Sequence, residues 1–191
     1  HKYMFEFEDA LRPGNLFDYF LQRQEKCVLA AREILIAILK SMGEIWPDGS
    51  WVDSIAIGDA AYHEAVKRSD ITDRIVPFHK LSQWMSYSLI EPLQLAGIKI
   101  IQLDALTGLA EYRNGGLFID TGTISLRDKT EMETLHDPKS PLIVEWRALT
   151  VTLLDQLAEQ IRRHTNTNAE SMPLVSILQG GTWSAGRRIA Q

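Results

Sequence analysis

The sequence predicts a mainly α domain with a minor β element, and three observations carry that reading. Apolar residues recur at spacings of three and four over long stretches, most clearly at Val28, Ala31, Leu35, Ile38 and Met42. Helix punctuation stands at the edges of such stretches, with Pro77 and Pro141 at starts and Gly43 and Gly97 at ends. Runs suited to strands are short, Ile98-Lys99-Ile100-Ile101 being the clearest. With 191 residues and 45% hydrophobic content, the chain can bury one substantial core.

Taken in order, Asn15 is placed to cap a helix starting at Leu16, and the stripe from Val28 to Met42 reads as a core helix that Gly43 stops. Pro47-Asp48-Gly49 form a turn, and Ile55 and Ile57 lead to Gly58-Asp59, where Asp59 caps a short helix through Lys67. Pro77 opens a second long helix toward Leu95, carrying Leu81, Trp84, Met85, Ser88 and Leu89 on neighbouring faces, and Pro92 is expected to kink it. Gly97 ends that helix, residues 98–101 form a short strand or extended link, and Asp104 caps the segment that follows. Between Leu117 and Leu126 a small hairpin is favoured, because Phe118, Thr121, Thr123 and Ile124 suit a strand. Residues 128–140, with Asp128, Lys129, Glu131, Glu133 and Asp137, read as a solvated loop. Ser140-Pro141 starts a helix through about His164 that turns Val144, Ala148, Val151, Leu154 and Leu157 toward the core. Asn166 to Ser171 is loop, and Thr182 caps a terminal helix containing Trp183, Arg187 and Arg188. No internal repeat is visible. The expected organisation is a terminal extension over residues 1–14 and a single helical domain over 15–191.

A formal charge of −5 opposes sequence-independent binding of nucleic acid, which needs a basic surface to displace counterions. The lone Cys27, beside Val28, Leu29 and Ala30, reads as a buried structural thiol; one cysteine makes no disulfide framework and points to a reducing compartment. No apolar run reaches the roughly 18 to 20 residues that cross a bilayer, and the start lacks a signal-peptide pattern, so a cytoplasmic protein without a membrane partner is expected. The chain opens on His1, as a tag remnant or a piece of a longer protein would. Oligomeric state is left open.

The densest chemistry lies in Leu106-Thr107-Gly108-Leu109-Ala110-Glu111-Tyr112-Arg113-Asn114-Gly115-Gly116. A carboxylate, a phenol and a guanidinium in succession amid apolar residues would cost on the order of several kcal/mol if buried without partners, which marks a polar site. Asn114-Gly115-Gly116 reads as a turn of positive φ that lets backbone N–H groups approach a ligand. Asp59 and His63, at i and i+4, are candidate metal ligands with His79, but no third position is fixed by spacing and neither a metal nor another cofactor is expected. Gly180-Gly181-Thr182 is a candidate anion site at a helix start.

Four motifs resemble the uracil-catabolism family of fungi and bacteria, long catalogued as a domain of unknown function. They are Pro77-Phe78-His79-Lys80-Leu81-Ser82-Gln83-Trp84, the Leu106 to Gly116 run, Val144-Glu145-Trp146-Arg147-Ala148-Leu149-Thr150-Val151 and Gly180-Gly181-Thr182-Trp183. The resemblance covers nearly everything from about Asn15 onward and departs at Ala60-Ala61-Tyr62, where the family has a tryptophan and a basic residue. Members are longer at the amino end and carry a short tail past Gln191, so the chain is expected to be part of a longer protein. A second resemblance is to queuosine-salvage glycosidases, through Phe78, Lys80 and Gln83, through Leu106-Thr107 with Ala110-Glu111-Tyr112-Arg113, and through Glu145 to Ala148. Glu111 stands where those enzymes have aspartate. This second resemblance implies a helical, DNA-glycosylase-like architecture.

The chemistry implied is hydrolysis of an N-ribosyl bond, in which a carboxylate stabilises charge on the sugar or activates water. Glu111 is the candidate, the alternative being that it only pairs with an arginine; Asp120 is the reserve carboxylate, or else a brace of the turn. Arg113 and Lys80 are candidates for holding a phosphate. Arg147 competes for that task, yet with Glu145 it equally suits anchoring of neighbouring elements. Tyr112 and Trp183 can border a planar leaving group, and Asn114 and Gln83 can orient sugar or leaving group. His79 can donate a proton to a departing nitrogen or serve as a satisfied core histidine. Pathway membership implies a ring-opened pyrimidine nucleotide such as a phosphoribosylurea, a small phosphorylated riboside. The alternatives are a non-catalytic module binding a nucleotide-like metabolite and a metal-dependent amidohydrolase acting on a ureide.

Overall fold

The computed structural model describes residues 6–7, 10–12, 14–46 and 49–190. In chain order the elements are β1 (Glu6–Phe7), β2 (Ala10–Leu11), α1 (Asn15–Arg23), β3 (Val28–Ala30), α2 (Ala31–Met42), β4 (Ser50–Val52), β5 (Ile55–Gly58), β6 (Ala60–Tyr62) and β7 (Ile75–Pro77). They continue with α3 (Lys80–Leu95), β8 (Lys99–Ile101), α4 (Tyr112–Asp120), α5 (Pro141–Thr165), α6 (Leu174–Ile177) and α7 (Trp183–Ile189). The architecture is mainly α with small two-stranded sheets, as expected from the apolar periodicity. Two compact units share the chain: residues 1–59 with 81–106, and residues 60–80 with 107–191. No described helix is long and apolar enough to cross a membrane.

The first unit is built on Phe20, Ile34, Ile38, Leu93, Ile98 and Ile100, all buried in one apolar cluster. Its α2 buries Ile34, Ala37, Ile38 and Ser41, the i, i+3, i+4, i+7 face of a single stripe. The stripe begins at Ala31. Val28–Ala30 instead pairs in parallel with Lys99–Ile101, Leu29 opposite Ile100, so sheet pairing overrides the helical spacing there. Lys26 and Cys27 both adopt positive φ, at 52° and 59°, which breaks any helix entering from α1. Cys27 is exposed, correcting its reading as a buried thiol. Its N–H donates to the Gln24 side-chain oxygen and its carbonyl accepts from Lys99 N at 2.7 Å, so the backbone of the turn is held and the thiol stays outside. Asn15 is the first residue of α1 and not its cap; buried, it accepts from Arg12 Nε at 3.1 Å. Of the Pro47-Asp48-Gly49 turn, Pro47 and Asp48 lie outside the described residues, as do residues 1–5, 8–9 and 13 of the expected extension.

Helix α3 starts at Lys80, three residues later than Pro77 suggested, because Pro77 closes β7 and His79 turns the chain at φ 49°. Pro92 lies inside the helix, which continues to Leu95. Gly97, at φ 88°, ends it as expected: Gly97 N donates to Gln94 O at 2.9 Å and Ile98 N to Leu93 O at 3.1 Å, the paired bonds that close a helix through a left-handed residue. Asp104 does not cap the following segment; it sits within a short 3-10 turn over Leu103–Ala105.

In the second unit, Ala60–Tyr62 pairs antiparallel with Ile75–Pro77, which replaces the helix expected from Asp59 to Lys67. The intervening loop is tied by Arg68, whose Nη1 donates to Thr72 O at 2.9 Å and Ile75 O at 2.7 Å. The hairpin expected over 117–126 is absent, since Leu117 to Asp120 complete α4. Thr121 N returns to Leu117 O at 3.0 Å and Gly122 turns out of the helix at φ 71°. Helix α5 begins on Pro141 and runs to Thr165, where Asn166 adopts φ 57°, closely as expected. Thr182 does not cap a separate terminal helix. Leu174 to Ile189 is continuous, passing through a π-helical turn at Leu178–Thr182, and the buried Thr182 hydroxyl makes no capping bond.

Candidate functional site

Three of the sequence motifs meet inside the second unit, around a buried cluster of Ala61, Phe78, Ala110 and Val144 on which Val76, Ala148 and Val151 pack. Burial of these side chains is what fixes the polar residues beside them: Lys80 after Phe78, Glu111 after Ala110, and Glu145 and Arg147 after Val144.

Glu111 has extended backbone and caps α4, its Oε1 accepting from Asn114 N at 2.8 Å and its Oε2 from Arg113 N at 3.0 Å. The alternative role, pairing with an arginine side chain, gives way to bonding with the arginine's backbone. A carboxylate at this position also complements the positive end of the helix. Asn114-Gly115-Gly116 is therefore the first turn of a helix and not a positive-φ turn. Asn114 is fully buried, and its Nδ2 donates to Leu109 O at 3.1 Å, clipping the incoming strand of chain to the helix. Gly115 is required by packing: a Cβ there would sit 2.9 Å from the Trp146 indole, whose Nε1 donates to Gly115 O at 3.2 Å. Close approach, the property first assigned to a ligand, is used by a side chain of the protein.

Arg113 and Tyr112 form a local pair, Nε to the phenol oxygen at 3.1 Å, with Tyr112 71% exposed. Arg147 stacks on the Phe78 ring, its guanidinium carbon 3.9 Å from the centroid. Glu145 Oε1 pairs with His63 Nε2 at 3.1 Å, while His63 Nδ1 accepts from Ala65 N at 3.2 Å. That acceptor role leaves the proton on Nε2, directed at the carboxylate. Trp146 is the residue missed as a site member, and His63, weighed only as a metal-ligand candidate, instead supports Glu145. The signal for Trp146 was its place between Glu145 and Arg147, which does not reveal a contact across 31 residues, and nothing local to His63 reveals one across 82.

The other candidates disperse. Asp120 is exposed at the far end of α4, about 13 Å along the axis from Glu111. Gln83 is buried in α3 and belongs to the first unit. His79 and Lys80 are half-buried at the start of that helix, and Trp183 is half-buried just after the π turn. Gly180-Gly181-Thr182 lies within a continuous helix and so presents no helix start to an anion. Asp59 and His63 are not on a helix, and among the described residues no three His, Cys, Asp or Glu side chains gather as a metal site. Glu145 alone among the candidates lines a cavity of about 710 Å³.

The arrangement places a rigidly held carboxylate after Ala110 and a stacked guanidinium on Phe78 of one apolar cluster, and a histidine-supported carboxylate on another face of α5. The described residues of the second unit thus offer acceptors to water or hydroxyls and cations to an anion.

No solved structure matches the chain. The chain is similar to "Protein urg3" of Schizosaccharomyces pombe, at 41% identity over 149 residues that make 77% of this chain and 36% of that protein. It is similar to "Uracil catabolism protein 4" of Lachancea kluyveri at 35% identity over 205 aligned positions, covering 94% of this chain and 46% of the relative. The chain thus spans less than half the length of each. The pattern of the family described as "Protein of unknown function (DUF1688)" matches residues 1–191 from end to end, and the chain belongs to that family.

Proposed function

We propose that the chain is part of an N-ribosyl hydrolase of uracil catabolism, acting in the cytoplasm on a small phosphorylated riboside and requiring no cofactor. The observation that carries the reading is the Arg147 guanidinium stacked on the Phe78 ring of the buried cluster that also holds Ala110, the residue before the helix-capping Glu111. The name of the Lachancea kluyveri relative supports the pathway, and the resemblance to queuosine-salvage glycosidases supports the bond cleaved and a DNA-glycosylase-like arrangement of the helices.

In this reading water adds its hydroxyl to the anomeric carbon, the C–N bond breaks with its electrons passing to nitrogen, and a proton ends on the departing urea-like group. Each Glu111 oxygen accepts one backbone N–H and retains a lone pair that can orient the water or face the ribosyl cation. Arg113 and Lys80 hold the phosphate, with Arg147 as a further cation. Tyr112 and Trp183 border the sugar and leaving group, and His79 supplies the proton. The engagement of both Glu111 oxygens in the helix cap favours a second reading, a module that binds a nucleotide-like metabolite without turning it over.

Release of ribose phosphate, followed by mass spectrometry, from phosphoribosylurea, uridine monophosphate and a queuosine monophosphate analogue tests both. Turnover of one compound, lost in Glu111→Gln, is the expected result. Binding without turnover supports the module, and neither binding nor turnover overturns both readings.

A further inference from the structure

The cavity of about 710 Å³ lies against a face of α5 that the Phe78 cluster does not use. Val144, Ala148 and Val151 point to that cluster, whereas Leu142, Glu145, Trp146 and Leu149, at i, i+3, i+4 and i+7, line the cavity. Its volume falls within the roughly 300–1,000 Å³ of small-molecule pockets, and Ile119, Ile143 and Leu149 give it an apolar wall. Its charged lining is uneven, with Asp128, Glu131 and Glu145 against Arg127 and with His136 Nε2 3.6 Å from the Glu131 carboxylate, in a chain of net charge −5. Glu145 is also prepared to accept. His63 Nε2–H holds its Oε1 from behind, His63 being fixed in that tautomer by the Ala65 N–H, and the carboxylate is 60% exposed with Oε2 left for another donor.

We infer that this cavity is a second ligand site, taking an uncharged or cationic hydrogen-bond donor with an apolar body and disfavouring phosphates and other anions. The apolar wall takes the body, Glu145 accepts from the donor, and the excess of carboxylates repels an anion. The inference does not depend on hydrolysis at Glu111.

Protein-observed NMR titration of the 191-residue chain with indole, tryptamine and indole-3-acetate tests it, since these share a ring and differ in charge. Indole and tryptamine should bind, tryptamine about tenfold more tightly than the acetate. Glu145→Gln should narrow that ratio by about threefold. Perturbed amide resonances should cluster within residues 124–136 and 142–149, and Leu149→Trp, which fills the cavity, should remove binding of all three. Equal affinity for tryptamine and the acetate, no binding by any probe, or perturbations centred elsewhere would overturn the inference, whether or not Leu149→Trp folds. Probe binding without ribose phosphate release would count against the hydrolase alone; release without probe binding would count against this site alone.

Discussion

Glu111 is read for chemistry, but its two oxygens also satisfy two of the backbone donors that a helix start leaves open. Glu111→Ala should therefore lower stability by about 1 kcal/mol in urea unfolding as well as remove activity. Stability unchanged within 0.3 kcal/mol, roughly the error of such a comparison, would show that the cap carries no weight. Gly115 invites a sharper test because its missing Cβ is occupied by an indole. Gly115→Ala should cost about 1–3 kcal/mol through overpacking, and the loss should be less than additive with Trp146→Ala, which vacates the space. Full additivity would mean that the two do not constrain one another. At this scale the polar run from Glu111 to Asn114 was legible as special, because ionisable groups beside apolar ones need partners. The identity of the partners was not, since Trp146 reaches Gly115 from another helix.

Elements ended where their chemistry demanded and began less predictably. Gly97 stops α3 in a left-handed conformation that costs an L side chain strain. Gly97→Ala should lower the thermal midpoint with a stability loss of about 1 kcal/mol. A neutral result would show that the helix end relaxes. Pro141 and Asn166 bound α5 close to the expected limits, because φ restriction and a left-handed cap act locally. Val28–Ala30 and Ala60–Tyr62 became strands instead of helix, the first paired with Lys99–Ile101 far along the chain and the second with Ile75–Pro77 across a loop. The 117–126 stretch went the other way: its β-branched residues suit a strand, but the helix capped at Glu111 runs on through Asp120.

Neither unit of the whole molecule is continuous in sequence, and the second draws Ala61 and Phe78 of its core from residues 60–80. A fragment of residues 107–191 should therefore lack a cooperative unfolding transition, and addition of residues 60–80 should restore one, as read by circular dichroism. Cooperative unfolding of the shorter fragment would show that the cluster is dispensable. Acid should weaken the fold through exposed aspartates whose ionised forms are hydrogen-bonded. The Thr72 hydroxyl holds Asp70 below the ordinary value of 3.8, the Arg68 backbone N–H does so for Asp73, and the Thr130 hydroxyl for Asp128. A folded-state value below the unfolded one means stability present above about pH 4 and lost as pH falls through the folded values. Unfolding midpoints should be level above about pH 5 and decline below about pH 4, and Asp128→Asn should lessen the decline; a decline that begins near pH 6 would point to histidines instead. By itself the sequence determined the helical class, the long α5, the closure at Gly97 and the polar character of the Glu111 run, because periodicity, capping and φ preference act within a few residues. Only the tertiary structure decided the strand pairs, the exposure of Cys27, the Trp146–Gly115 contact and the His63–Glu145 pair, because each depends on which distant segment the chain brings alongside.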